Sequence, residues 1–183
     1  MVFSWTPHRF VGGALALDVA NSVILRFDHE KSVDRFAVPE QLDSFCDAAA
    51  RLSAECDKLH VLFPPSPENL GHLIELREAT DRYFRQLIET GQDENDLLAR
   101  LLDACAAALR NAPAKHSLEA ATARSVLSLM AGPDRTRLRI CGHCGWLFID
   151  RSKNRSRIWC DMAVCGNRQK AAKHYRRKKE IAS

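Results

Sequence analysis

Seven cysteines occur in the 183 residues, and four of them fall within 25 positions: Cys141, Cys144, Cys160 and Cys165. Their pattern is C-x2-C, then fifteen residues, then C-x4-C. Thiolates are soft donors, and two close pairs joined by a short loop can supply the four corners of a tetrahedral zinc site. A tight turn brings one pair to the metal, and a helix start brings the other. The spacing predicts one structural Zn2+ on these four residues. The competing chemistry is disulfide formation. Met1–Arg9 has no basic start followed by an apolar core, so no secretory leader is expected. A cytoplasmic chain keeps its thiols reduced, which favours the metal reading. His143 lies inside the first pair, where the middle of a knuckle points away from the metal. His174 lies nine residues past Cys165. Neither is expected to be a ligand. Cys46 and Cys105 read as buried thiols, and Cys56 as partly exposed.

Around the cysteines the charge is lopsided. Residues 135–183 hold fourteen Lys and Arg against three Asp and Glu, a balance of +11. Residues 1–134 hold thirteen against twenty, a balance of −7. An acidic body with a basic end attracts a polyanion in one orientation. The cations form two groups. Arg151, Lys153 and Arg155 lie on a loop, and Lys170, Lys173, Arg176 and Arg177 lie on a C-terminal helix. Lys170, Lys173 and Arg177 share one helical face. These seven are the expected phosphate contacts, with Tyr175 placed to stack or to bond a phosphate. The plain alternative is a solvated terminal helix. Four thiolates and Zn2+ carry a formal charge of about −2, which neighbouring cations and N–H groups must offset. Arg157 and Arg168 are close enough in sequence to do so, and Asn167 is expected to hydrogen-bond across the hairpin.

The elements that must position these groups are mostly helices. "PEQLDSFCDAAARL" opens on Pro39, a residue suited to the first helical turn. The next helix is expected to start at Ser66-Pro67 and to stop at Gly91. "DENDLLARLLDACAAALRNAP" follows, with Leu97, Leu98, Leu101, Leu102, Cys105 and Leu109 on one face. A further helix runs from Ser117 to Gly132-Pro133. The expected core is Leu73, Leu76, Phe84, Leu87, Leu97, Leu101 and Leu109. No run approaches the length of a membrane span. After residue 135, "RICGHCGWLFID" reads as a knuckle and a short strand, with Trp146 and Phe148 on one face and Leu147 and Ile149 on the other. Asp161 is the expected N-cap of the last helix. The fold class is therefore mainly α. A helical domain over 1–134 precedes a small treble-clef-like zinc finger over 135–183, with a short β-hairpin and a C-terminal helix. The two are expected to have separate cores.

The stretch "CGHCGWLFIDRSKNRSRIWCDMAVCGNRQKAAKHYRR" resembles the CGNR zinc finger, a family named for the motif found here at Cys165, Gly166, Asn167 and Arg168. One departure is the short Gly142-His143 between the first two cysteines, where the family often has a longer insertion. It leaves the ligand set intact, since C-x2-C is itself a zinc knuckle. The N-terminal "GGALALDVANS" resembles the ABATE domain that commonly precedes this finger. The resemblance implies a helical, stress-induced regulator-like domain followed by a DNA-binding finger.

No catalytic constellation accompanies these motifs, and a four-cysteine zinc has no open position for a reacting water. An enzyme is not expected. Gly12-Gly13 reads as a turn, without the pattern of a phosphate loop. Asp18 and Asn21, three residues apart, are candidates to line a pocket for a small-molecule effector. The expected function is a zinc-dependent regulator binding nucleic acid, with duplex DNA as the partner. A protein-interaction module and an RNA-binding protein are the alternatives.

Overall fold

The computed structural model describes residues 3–59 and 61–181, without the side chains at 173, 174, 176 and 179–181. A six-residue helix, α1 (Leu15–Ala20), lies at its centre with every residue buried. A short helix that is apolar almost all round has no face to offer water and must sit inside. It is followed by a two-residue hairpin, β1 (Val23–Ile24) and β2 (Val33–Asp34), which the apolar pattern did not announce.

Helix α2 (Pro39–Leu52) starts on its proline, as expected, and a short α3 (Cys56–Leu59) follows. Helix α4 (Leu70–Thr90) begins later than its Ser66-Pro67 signal. Residues 66–69 form a turn instead, with the Asn69 and Leu70 amides both donating to the Ser66 carbonyl. The Asn69 side chain is drawn away to the Asn111 carbonyl and to Glu119, so tertiary contacts set the helix start. The helix ends at Gly91, as its sequence signal indicated. Helices α5 (Asn95–Asn111) and α6 (Leu118–Ala131) complete the bundle. Among the described residues no helix is long and apolar enough to cross a membrane.

The chain then enters a second hairpin, β3 (Leu138–Ile140) and β4 (Leu147–Ile149), paired antiparallel with Leu138 opposite Ile149 and Ile140 opposite Leu147. A wide π-type turn at Met162–Gly166 leads into the last helix, α7 (Asn167–Ile181). Asp161 caps this turn through the amides of Ala163 and Val164. The mainly α class with a terminal finger holds.

The expectation of two separate cores does not hold. Leu138, Leu147 and Ile149 belong to the same apolar cluster as Leu17, Leu76, Phe84 and Leu101. Trp146 and Phe148, on the other face of β4, pack with Cys141, Cys160 and Cys165. Period-two alternation thus makes one strand a shared wall, with the helical core on one side and the cysteines on the other. Burying Leu147 and Ile149 contributes roughly 1.5–3 kcal/mol each. Along α5, the buried stripe is Leu101, Ala104, Cys105 and Ala108. Leu102, expected on that face, is 42% exposed. Leu87, Leu97 and Leu109 pack at the edge of the core, and Leu73 packs in a second cluster around Phe45.

Candidate metal centre and nucleic-acid interface

The knuckle forms because the backbone closes on itself at both cysteine pairs. The Cys141 amide donates to the Trp146 carbonyl at 2.8 Å, and the Gly145 amide returns to the Cys141 carbonyl at 2.9 Å. Gly145 has φ +74°, a left-handed turn that a side chain would strain. The second pair is brought in by the turn after Cys160, where the Gly166 amide donates to the Asp161 carbonyl at 3.0 Å. A Cβ at Gly166 would meet Met162 and Trp159 at 3.2–3.3 Å, so the glycine lets this turn close.

These turns gather the Sγ atoms of Cys141, Cys144, Cys160 and Cys165 within 4.8 Å of one another. Cys144 and Cys160 are 3.6 Å apart, and Cys160 and Cys165 are 3.7 Å apart. A tetrahedron with Zn–S bonds of about 2.3 Å has edges of about 3.8 Å. A disulfide requires about 2.05 Å. The donor set and its spacing fit one structural zinc. A divalent cation at the centre favours the thiolate of every ligand.

His143 faces away from the cluster and pairs its Nδ1 with Gln169 Nε2 at 2.8 Å, tying the knuckle to α7. Arg157 stacks its guanidinium over Phe148 at 5.5 Å and donates to the Cys160 carbonyl. It supports the backbone of a ligand residue. The Asn167 side chain donates back to the Ala163 carbonyl at 3.0 Å. That corrects the expected bond across the hairpin, because the turn before α7 offers a nearer acceptor. Arg168 is exposed. A cation from outside the finger joins it: Arg9 lies over the Trp146 ring at 5.5 Å. Burial, then the charges of Arg35 and Arg168, pull the Arg9 guanidinium below its ordinary range, and Cys144 pulls it back up. Arg9 therefore feels both the cluster and Arg168. Its distance along the chain hid it from sequence reasoning.

Three more contacts fix the finger to the helices. Asn21 brackets Leu147, its Nδ2 donating to the Leu147 carbonyl and its Oδ1 accepting the Leu147 amide. Arg85 on α4 donates to the Gly145 carbonyl at 3.0 Å while paired with Asp81 at 2.7 Å. His8 pairs with Asp161 at 2.9 Å and lies against Trp146.

The pocket expected around Asp18 and Asn21 is corrected by these bonds. Asn21 is buried and fully engaged with strand β4. Asp18 is also buried, accepting the Gly12 amide at 3.0 Å and the Ser53 hydroxyl at 2.9 Å. Both hold the protein's own backbone and side chains in place of an effector.

Of the cations expected to grip phosphate, Lys153, Arg155, Lys170 and Arg177 are exposed. The side chains of Lys173 and Arg176 lie outside the described residues. Arg151 is exposed but committed: it donates to the Gly13 carbonyl at 3.0 Å and pairs with Asp134 at 2.9 Å. The loop itself is shaped by buried Asp150, whose carboxylate accepts the amides of Ser152 and Arg157 at 2.9 and 2.8 Å. Exposed side chains thereby project from a fixed loop and from a helix anchored by a metal ligand.

Family models agree with this geometry. Residues 137–178 match the CGNR zinc finger, and residues 13–138 match ABATE, described as "Putative stress-induced transcription regulator". The two matches meet at the start of β3, whose partner β4 is the wall shared between core and finger. No curated protein matches the chain. With most of its length covered by one model and its four-cysteine centre by the other, the chain belongs to the ABATE family and carries a C-terminal CGNR zinc finger.

Proposed function

We propose that the protein is a transcription regulator that grips duplex DNA through its zinc finger and is controlled through its helical domain. The observation that carries this is the placement of charge. The +11 segment from residue 135 exposes Lys153 and Arg155 on one element and Lys170 and Arg177 on another. The −7 body behind it repels the same polyanion, so contact is oriented. Zinc closes the turns around Cys141 and Cys165 and thereby sets where these cations stand. With four sulfurs on the metal, the centre works by shape, and binding is the activity. A cluster of reduced thiols supports a cytoplasmic setting.

The test is a salt series of band shifts with the zinc-loaded chain on duplex DNA and on RNA of the same sequence. With about four phosphates neutralised, log K falls with log salt at a slope of roughly −3.6 on duplex. Binding to RNA alone assigns the basic surface to RNA. Binding to neither assigns it to an acidic protein partner.

A further inference from the structure

We propose that the cavity between α3, α6 and the loop before α6 binds a small organic acid with an apolar body. This deepens the regulator reading by giving the helical domain an effector site, and it rests on that reading only for its consequence. The cavity holds about 300 Å3, the lower end of ligand pockets, which suits a single ring or a short chain.

Its wall is apolar, made by Leu59, Leu62 and Ala121. Its rim is cationic, made by the exposed Lys58, Lys115 and Arg124, with His116 beside them. None of these three cations has an ion-pair partner among the described residues, although residues 1–134 are acidic overall. Arg124 is moreover held next to Lys115, donating to its backbone carbonyl at 3.2 Å. A guanidinium held at the Lys115 backbone, with the Lys115 and Lys58 side chains on the same rim, puts positive charge over an apolar hollow, which matches a carboxylate whose carbon body enters the hollow. Glu55, the acid at the cavity, is already engaged. Its Oε2 accepts the Leu15 amide at 2.8 Å and the Ser125 hydroxyl.

Those same bonds give the site a line to the finger. Glu55 and Ser125 hold the Leu15 and Ala16 amides at the start of α1. At its other end α1 delivers Asn21 to Leu147, three residues past the ligand Cys144. A ligand that draws on Ser125 or Glu55 therefore acts on the helix that seats the zinc knuckle.

The test needs no nucleic acid, so its failure is separate from that of DNA binding. The zinc-loaded full chain is titrated calorimetrically with benzoate, with benzyl alcohol and with inorganic phosphate. Benzoate should saturate at one per chain, with the alcohol and phosphate each weaker by about tenfold or more. The double variant Lys115→Glu and Arg124→Glu, both at exposed positions, should weaken benzoate by about tenfold or more and leave the alcohol unchanged. Ala121→Phe should fill the hollow and abolish benzoate binding. Should that variant fail to fold, judged by helicity and zinc content, the charge variant decides alone. The proposal is overturned if benzoate does not saturate, if phosphate binds as well as benzoate, or if the charge variant binds benzoate like the parent.

Discussion

Asn21 and Leu147 are 126 residues apart and exchange two hydrogen bonds, one in each direction, in a buried setting. A side-chain amide here imitates a neighbouring strand, pairing with the edge of β4 that faces away from β3, one residue after Trp146. The finger is thus built onto the end of the central helix, where two separate cores were expected.

Asn21→Ala should show how much that pair holds. It leaves the Leu147 amide and carbonyl buried without partners, at a cost of about 2–4 kcal/mol in total. Denaturant unfolding should move to a lower midpoint with an unchanged slope. Zinc release, followed with a chromophoric chelator, should coincide with loss of helix signal. Zinc release well ahead of helix loss would mean that the two parts are not coupled through this contact.

Removing the metal should weaken the helical body too. Cys144→Ser, or treatment with a strong chelator, frees the knuckle and with it Leu147 and Ile149, whose burial contributes about 3–6 kcal/mol together. For a chain of this size the helical melting temperature should fall by roughly 10 °C. A helical melt unchanged by zinc removal would restore the picture of separate cores.

What the sequence disclosed was the local part. The cysteine spacing, Pro39 opening a helix, Gly91 closing one and the two faces of β4 each depend on residues a few positions apart. The contacts that place the finger are remote: Asn21 with Leu147, Arg85 with Gly145 and Arg9 over Trp146. No periodicity signals them. Asp18 and Asn21 were conspicuous as polar residues in an apolar run, which is equally the signature of a binding pocket and of an internal bracket. Only their partners distinguish the two. Leu102 shows the same limit on a smaller scale, because an apolar residue at a face's edge is buried only if a neighbour covers it.

Asp18 should give the protein a pH dependence. Burial, reinforced by the charge of Glu55, raises its carboxyl to about 8 against the opposing bonds from Ser53 and Gly12. The ordinary value is about 4. The folded state therefore keeps a proton that the unfolded state releases. The stabilisation is complete below about pH 4 and is lost as pH rises towards 8, at up to about 1.4 kcal/mol per unit. Asp18→Asn, which carries the neutral form's charge, should flatten this part of the profile. Urea midpoints measured from pH 5 to 8 check it, and a parent profile no steeper than the variant's would show that Asp18 ionises freely when folded.

The cations themselves should separate into two kinds. Arg155, Lys170 and Arg177 are exposed and have no ion-pair partner among the described residues, so replacing all three with alanine removes their grip on phosphate and little else. Binding should weaken for every duplex sequence alike, because phosphate contacts position a protein without reading bases. The salt slope should flatten by about 0.9 for each phosphate that is no longer neutralised, or about 2.7 in total. Arg151→Ala makes the contrast. Its guanidinium is tied to Asp134 and the Gly13 carbonyl, so the salt slope should stay within the spread of the parent. An exposed ion pair contributes about 0–1 kcal/mol, so stability should fall only slightly. Zinc removal should reproduce the triple variant's loss of affinity, since Cys165 anchors the start of α7. If Arg151→Ala flattens the slope and the triple variant does not, the nucleic acid runs along the seam between loop and body, away from the terminal helix.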